Sequence, residues 1–477
     1  MYSLLKKIIP EKDMLRQIAL LEQLLNQTTM TTKELAQELQ TTDRTLFSDL
    51  QRIRDQLPHG WSIASSHQGI QLISEDAQLA NDVLATFLPQ SIGIQLIKDL
   101  LFSKELNTTH FLAENGLSFE TLKRQVTKMN RKLAGYHLKI KSTMKTIQLI
   151  GEESAIRVFY HRLLMPFTHN NYFFNDYSIH EEHYLTFLHT LKDSALAVDT
   201  EQIFGVCWFF INVIRNKAQC AIESFSFNAD DPLFALYREQ LTASYQTEGV
   251  YLQETEQFFA FFCFLESWNY NNHFGTAVTL TKDYPALAEV ASQLTARIAT
   301  PIPMSFENSA VTENFLLLLI KYHESTWLSE QFQLEYQELL KERRSKIPTY
   351  EEQTRLALLE PVLKISEPSY FLNLVSLLAQ QAFYALEAKT LTVYFVFQGE
   401  PAWKAFLQQE LSDLIGRRGQ LIPLEVGDVA TLPAQQDAFI IANVQIEHGP
   451  LEVLYISSNP TKNERRQLTE LILQYYL

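Results

Sequence analysis

A chain of 477 residues is too long for one hydrophobic core and should divide into roughly three to five domains. Its 46% apolar and 20% charged residues exclude a disordered chain, and 14 glycines leave little for phosphate-cradling loops, which favours a mostly helical protein. The formal charge of −15 is uneven: residues 1–150 carry 18 basic and 15 acidic side chains, the remainder 22 and 40, so only the N-terminal part is suited to a polyanion.

Met1 to Asp13 has no apolar run long enough for a signal peptide, and a cytoplasmic protein is expected. Leu15, Ile18, Leu21, Leu24 and Leu25 then mark the stripe of an opening helix. Thr31 and Glu34 are spaced as a capping box, and Leu35, Ala36 and Leu39 bury a short second helix. Thr41 and Thr42 begin a third helix with core residues Leu46, Leu50, Ile53 and Leu57. Away from that face lie Arg44, Thr45, Ser48, Gln51 and Arg52. These are forks for base edges and hydroxyls for phosphates, as a recognition helix requires. Pro58 and Gly60 stop the helix; Trp61 to Ala64 and Gly69 to Ile73 alternate as a hairpin wing.

The pattern then repeats. Ile70-Gln71-Leu72-Ile73 returns letter for letter as Ile147-Gln148-Leu149-Ile150. Thr31, Thr32, Leu35 and Ala36 match Thr108, Thr109, Leu112 and Ala113, while Leu46, Leu50, Ile53 and Leu57 match Leu122, Val126, Met129 and Leu133. The one-residue shift between these blocks fits a turn of different length. Two winged helix-turn-helix modules are therefore expected, over residues 1–75 and 76–152.

In the second module Gly116 supplies the turn and Ser118 the N-cap, followed by Thr121. Residues 120–145 hold eight cations (Lys123, Arg124, Lys128, Arg131, Lys132, Lys139, Lys141 and Lys145) against one anion, Glu120. Such clustering in an acidic protein is an electrostatic footprint for DNA; a solvated bundle face is the alternative. Leu138–Ser142 and Thr146–Ile150 form the second wing.

Residues 153–275 and 276–387 read as two five-helix sets, with helices over 153–168, 178–191, 200–217, 229–246 and 253–268, then 282–299, 311–325, 327–344, 350–365 and 368–387. From 388 to 477 strands alternate with helices, with strands at Leu391–Phe397, Leu421–Val426, Ala438–Val444 and Leu451–Ser457. Helices fall at Ala402–Leu414 and Lys462–Tyr476, which implies a small α/β layer with a largely parallel sheet.

The paired segments "TTKELAQELQTTDRTLFSDLQRIRDQL" and "LSFETLKRQVTKMNRKLAGYHLKIKS", the helical middle and the α/β tail resemble the Mga/AtxA family of virulence regulators of low-GC Gram-positive bacteria. The resemblance covers the whole chain. It implies that the helical sets are PTS-regulation domains (PRDs), whose histidines take phosphate from the sugar phosphotransferase system. The phosphocarrier HPr is then a partner and the tail is similar to enzyme IIB. One PRD histidine position is filled here by Trp208, in "WFFINVIR"; His273, in "NYNNHFG", and His323, in "LLLLIKYHES", are the phosphorylation candidates the resemblance leaves. Enzyme IIB domains carry a phosphorylatable cysteine after their first strand, where this chain reads "FVFQGEPAWK". A docking or dimerisation role is what that loss leaves.

Other chemistry finds little support. Cys207, Cys220 and Cys263 form no CxxC pair and read as buried thiols. His180-Glu181-Glu182-His183 spaces its histidines by three rather than the four of HExxH, so a carboxylate-rich surface helix is expected and no metal. No GxSxG, Walker A or GxGxxG sequence occurs, no cofactor is expected, and apolar runs such as Phe315 to Ile320 are too short to span a membrane. The aromatic stretches "CWFFINVI" and "FFAFFCFLESW" read as core or dimer-interface stripes. The expected protein is a DNA-binding activator of duplex promoters, a homodimer or higher homo-oligomer, and no enzyme. An RNA-binding antiterminator with PRDs is the rival; such proteins begin with a small β-domain rather than helix-turn-helix repeats. A phosphotransferase component is the second rival, and the missing tail cysteine argues against it.

Overall fold

The computed structural model of the chain describes residues 3–26, 29–67, 69–74, 83, 86–170, 173–174, 180–223, 225, 228–299, 309–324, 360–365, 368–386, 391–399, 401–416, 418–435, 437–446 and 449–476. It divides into two compact units, Met1–Glu335 with Leu356–Leu372 and Tyr336–Arg355 with Asn373–Leu477.

The first unit opens with α1 (Ser3–Ile8), α2 (Lys12–Asn26), α3 (Thr32–Glu38) and α4 (Asp43–Arg54), then the hairpin β1 (Trp61–Ser66) and β2 (Gly69–Ser74). The second module follows as α5 (Ile92–Phe102), β3 (Leu106–Asn107), α6 (Thr108–Glu114), α7 (Phe119–Leu133), β4 (Lys139–Ser142) and β5 (Thr146–Ile150). Both wings are antiparallel, and Ile63↔Leu72 in one answers Ile140↔Leu149 in the other. The expected capping box is present: Glu34 N donates to Thr31 Oγ1 and Thr31 N to the Glu34 carboxylate.

The fold moves the repeat by one residue from its match by identity. Leu35 is fully buried, and its counterpart is the buried Phe111; Leu112 is half-buried and Ala113 exposed. N-caps Thr31 and Thr42 answer Asn107 and Ser118, so one offset holds through both helices. The extra residue enters only after α7, before the wing. The face a side chain presents outweighs the letter it shares, because burying a large ring in the core is what fixes α6. Leu57 likewise lies beyond the end of α4 and is half-buried, whereas Leu133 is buried.

Two left-handed positions recur. Gln40 (φ 48°) and Gly116 (φ 61°) sit between the second and third helices, and Gly60 (φ 87°) and His137 (φ 57°) precede the wings. The modules share an apolar seam. Gly93 in α5 has no room for a Cβ, since one would lie 2.1 Å from the Ile8 carbonyl oxygen. Glu11 accepts from Ser91 Oγ at 2.8 Å and from Ile92 N at 3.1 Å, which caps α5 across the seam.

The expected five-helix set appears as α8 (Glu153–Leu164), α9 (Glu181–Lys192), α10 (Gln202–Lys217), α11 (Pro232–Thr247) and α12 (Glu254–Glu266). Gly205 through Arg215 and Phe259 through Glu266 are buried, so both aromatic stretches are core. Within it Arg157, fully buried, donates to Glu256 at 2.7 and 2.8 Å and to Glu153 at 3.1 Å. Arg215 donates to Glu153 and to the Leu100 carbonyl at 2.6 Å, and Tyr160 Oη to the Ile97 carbonyl at 3.0 Å. The bundle thereby grips the C-terminal half of α5 in the second module, where the Leu100 carbonyl lacks a helical partner.

The first unit continues with α13 (Leu280–Asp283), α14 (Pro285–Ala299) and α15 (Ser309–Tyr322), while α16 (Pro368–Leu386) begins in the first unit and runs on into the second from Asn373. The helix expected over 327–344 lies outside the described residues. Of that expected over 350–365, residues 360–365 are turn and irregular chain, where Pro361 has no amide to give a helix.

In the second unit β6 (Leu391–Val396), β7 (Gly419–Pro423), β8 (Ala438–Ala442) and β9 (Glu452–Tyr455) form one wholly parallel sheet ordered β7-β6-β8-β9. Helices α17 (Pro401–Ile415) and α18 (Lys462–Tyr476) cover one face through Leu407, Leu411, Leu468 and Ile472. Val429, Leu432 and Ile446 cover the other. No described helix is long and apolar enough to cross a membrane.

Candidate nucleic-acid interface

Each third helix starts with the same hydroxyl pair. Thr42 Oγ1 caps α4 by accepting from Thr45 N at 3.3 Å, with the two hydroxyls 3.0 Å apart. Ser118 Oγ caps α7 by accepting from Thr121 N at 3.2 Å, and its hydroxyl meets that of Thr121 at 3.0 Å. The positive ends of both helices favour an anion such as a DNA phosphate, against Asp43 and Glu120 in their first turns.

Along α4 the residues opposite the core, Arg44, Phe47, Ser48, Gln51 and Arg54, are exposed at helical spacing. Gln51 Nε2 donates to Asp55 at 2.9 Å, and Arg52 pairs with Asp13 at 3.3 Å, to one side of that face. Buried Asp49 is gripped by Arg16 through two guanidinium nitrogens and by Gln17 at 3.2 Å, which fixes α4 on α2. The sequence reading overlooked Phe47. Its ring is 57% exposed in the middle of the outward face, and its one signal was an aromatic side chain out of phase with the core stripe.

On α7 and its wing, Lys123, Arg124, Arg131, Lys132, Lys139, Lys141 and Lys145 are exposed. None of the seven is in an ion pair with a described residue. Lys128 differs: it is half-buried, and its Nζ donates to the Pro10 carbonyl at 3.1 Å, turned towards the seam. Leu122, Val126, Met129 and Leu133 hold the opposite face in the core. The exposed cations thus lie along a helix, an adjoining wing strand and the wing's turn.

The two candidate histidines lie elsewhere in the unit. His273 is exposed on a loop; its Nδ1 is 3.0 Å from the Asp199 carboxylate, which Asn271 also contacts at 3.0 Å. His323 follows α15, with Nδ1 3.1 and 3.2 Å from the Leu319 and Ile320 carbonyls. A carboxylate or carbonyl at Nδ1 keeps the proton there and leaves Nε2 as the free nitrogen. His323 also lines a small depression with Asp231, Phe258, Phe262 and Glu324. Burial raises the Asp231 carboxyl, although Phe234 N and Tyr284 Oη donate to it. Trp208 is buried and stacks on His161, ring centroids 4.0 Å apart. His161, fully buried beside Arg162, is held well below the usual imidazole range and stays neutral.

The three cysteines are free and buried, and burial pushes the Cys207 thiol up to about 12. In the tail, the crevice at the carboxyl ends of β6 and β8 is a topological switch point, the usual ligand position in such sheets. Here it is tied shut: Gln398 N donates to Asn443 Oδ1 at 2.8 Å, and Asn443 Nδ2 returns a bond to the Gln398 carbonyl at 2.7 Å.

The profile described as the M protein trans-acting positive regulator (MGA) HTH domain matches residues 11–69, and that of the Mga helix-turn-helix domain matches residues 76–164. The chain is 26% identical over 328 residues to the anthrax toxin expression trans-acting positive regulator of Bacillus anthracis, covering 67% of this chain and 68% of that protein. It is 21% identical over 498 residues to the capsule synthesis positive regulator AcpB of Bacillus anthracis, covering 98% and 99%. The chain carries Mga helix-turn-helix domains and is homologous to Mga-family virulence regulators. The two profiles overlap the two N-terminal modules, the second extending through α8. A third profile, described as a non-canonical single-stranded DNA-binding domain, matches residues 283–385.

Proposed function

We propose that this chain is a positive transcriptional regulator that holds duplex promoter DNA with both modules. The observation that carries the proposal is the field of seven exposed cations on α7 and its wing, without ion-pair partners among the described residues of an acidic protein. In this reading α7 and its wing neutralise phosphates, while Arg44, Ser48 and Gln51 of α4 face base edges.

The helical sets over 153–275 and 276–387 act as PRDs and the tail as an enzyme IIB-like docking element without its thiol, in a homodimer or higher oligomer. Phosphoryl transfer from HPr would form an N–P bond at Nε2 of His273 or His323 as the donor's N–P bond breaks. At His323 about two negative charges would then stand beside Glu324 and Asp231, enough to loosen the packing there. The single-stranded profile supports a second contact, with a melted strand. Residues 283–385 nevertheless carry thirteen acidic and eight basic side chains, a poor match to a groove that tracks a phosphate backbone.

Gel-shift titration of the full chain against promoter duplex, single strand and structured RNA, with and without phosphotransferase proteins, tests the proposal. Preference for duplex is expected. Preference for structured RNA would establish the antiterminator reading, and preference for single strand would move the nucleic-acid contact to residues 283–385.

A further inference from the structure

The helix α9 begins at His180, which is its N-cap with extended backbone (φ −102°, ψ 106°) rather than part of the helix. The spacing of three between His180 and His183 therefore says nothing about a shared helical face. Their imidazoles meet at Glu248, the C-cap of α11, 65 residues beyond His183. His183 Nδ1 is 2.8 Å and His180 Nδ1 3.7 Å from the same oxygen, Glu248 Oε1. The donor atoms of all three residues lie within 4.8 Å of one another. Zinc ligands at about 2.0–2.1 Å in a tetrahedron stand roughly 3.4 Å apart, so small side-chain rotations reach that geometry.

We propose that His180, His183 and Glu248 bind a divalent transition-metal ion of the zinc class, which ties the start of α9 to the end of α11. One imidazole would satisfy the carboxylate by hydrogen bonding. The second converges on the same oxygen at a distance too long for a hydrogen bond, which is the arrangement a shared cation explains. The carboxylate is aimed: it is buried, and His180 N donates to Oε1 at 3.1 Å. His180 is exposed and His183 partly so, leaving a path for the ion and a fourth position for solvent. Two imidazoles with one carboxylate select zinc or a neighbouring first-row ion over magnesium or calcium, which demand oxygen shells. The ion displaces the Nδ1 proton of each imidazole that ligates through that atom. Lys217 Nζ, 3.4 Å from Glu248 Oε2, is the competing cation and should weaken the site.

The test is titration of the chelator-stripped full chain with Zn²⁺ by calorimetry and with Co²⁺ by visible absorption. One ion per chain is expected, with an intense ligand-field band for cobalt. His180→Ala and His183→Ala should each weaken binding at least about tenfold. Lys217→Ala should tighten it, and at one fixed zinc concentration the melting temperature should rise more for the parent chain than for His180→Ala. His180 is 59% exposed, so its removal does not threaten the fold. Absence of saturable binding, or affinity unchanged by both histidine substitutions, would overturn the site.

Discussion

The two N-terminal modules share a backbone plan and differ in what they show to solvent. On α4 the outward face mixes Arg44, Phe47, Ser48 and Gln51, and nearby Arg52 is paired with Asp13. On α7 and its wing the face is cationic and without ion-pair partners among the described residues. The inner sides differ in the opposite sense. Asp49 is bound by Arg16 and Gln17, whereas its counterpart Gln125 has a buried Oε1 with no hydrogen-bond partner. The two copies keep one frame and differ in surface: α4 shows a mixed polar and aromatic face, α7 a cationic one.

The largest expected effect separates these roles at the DNA. Lys123→Ala, Arg124→Ala and Arg131→Ala together should cost about 3 kcal/mol or more at low salt, roughly two decades of affinity for any sequence. They should also flatten the log–log salt dependence by up to about 0.9 per lost contact. Unchanged affinity and slope would remove α7 from the interface. Lys128→Ala, whose ammonium is turned to Pro10, should leave the slope nearly as it was.

Next comes the internal asymmetry. Asp49→Ala should destabilise the first module by about 2–3 kcal/mol, because it strands a half-buried guanidinium and the Gln17 amide. Gln125→Ala should cost less than about 1 kcal/mol, since one of its polar atoms is already unsatisfied. Hydrogen exchange in α4 and α7 resolves the two modules within one chain, and equal protection losses would erase the distinction.

A narrower effect concerns readout. Arg44→Ala should cost about 1–3 kcal/mol at particular base pairs and little elsewhere, measured across a panel of single-position operator variants. A uniform loss over the panel would mean that α4 positions the protein and reads nothing.

The smallest effect runs in mirror image between the copies. Gln40→Gly relieves a left-handed non-glycine residue, and should stabilise by about 1 kcal/mol or less once the added freedom of the unfolded chain is counted. Gly116→Ala, at the equivalent position, should destabilise by a similar amount, as should Gly60→Ala, while His137→Gly should resemble Gln40→Gly. Denaturation midpoints of the four variants check the signs.

Much of this was legible in order. Apolar spacing located α2, α4 and α7, polar caps marked the starts of α3, α4 and α7, and the continuous run at Leu391 marked a strand buried on both faces. Those signals are local, and nothing distant opposed them. The repeat was visible too, but letter identity misplaced its extra residue, because Leu112 matches Leu35 in name while Phe111 takes its place in the core. Nor could identity pair Gln40 with Gly116 or Gly60 with His137, since backbone handedness leaves no common letter.

By itself, then, the sequence determined most of the described elements, the duplicated frame, the charge division and the parallel tail, all of which follow from periodicity and composition over short windows. Tertiary structure alone decided which cations stay free, since Lys128 is drawn to a carbonyl 118 residues away. It also decided that Trp208 covers a neutral His161, and that Glu248 meets His180 and His183. Each of these depends on packing between segments far apart in the chain, where the direction of a side chain is set by its neighbours in space rather than by those in sequence.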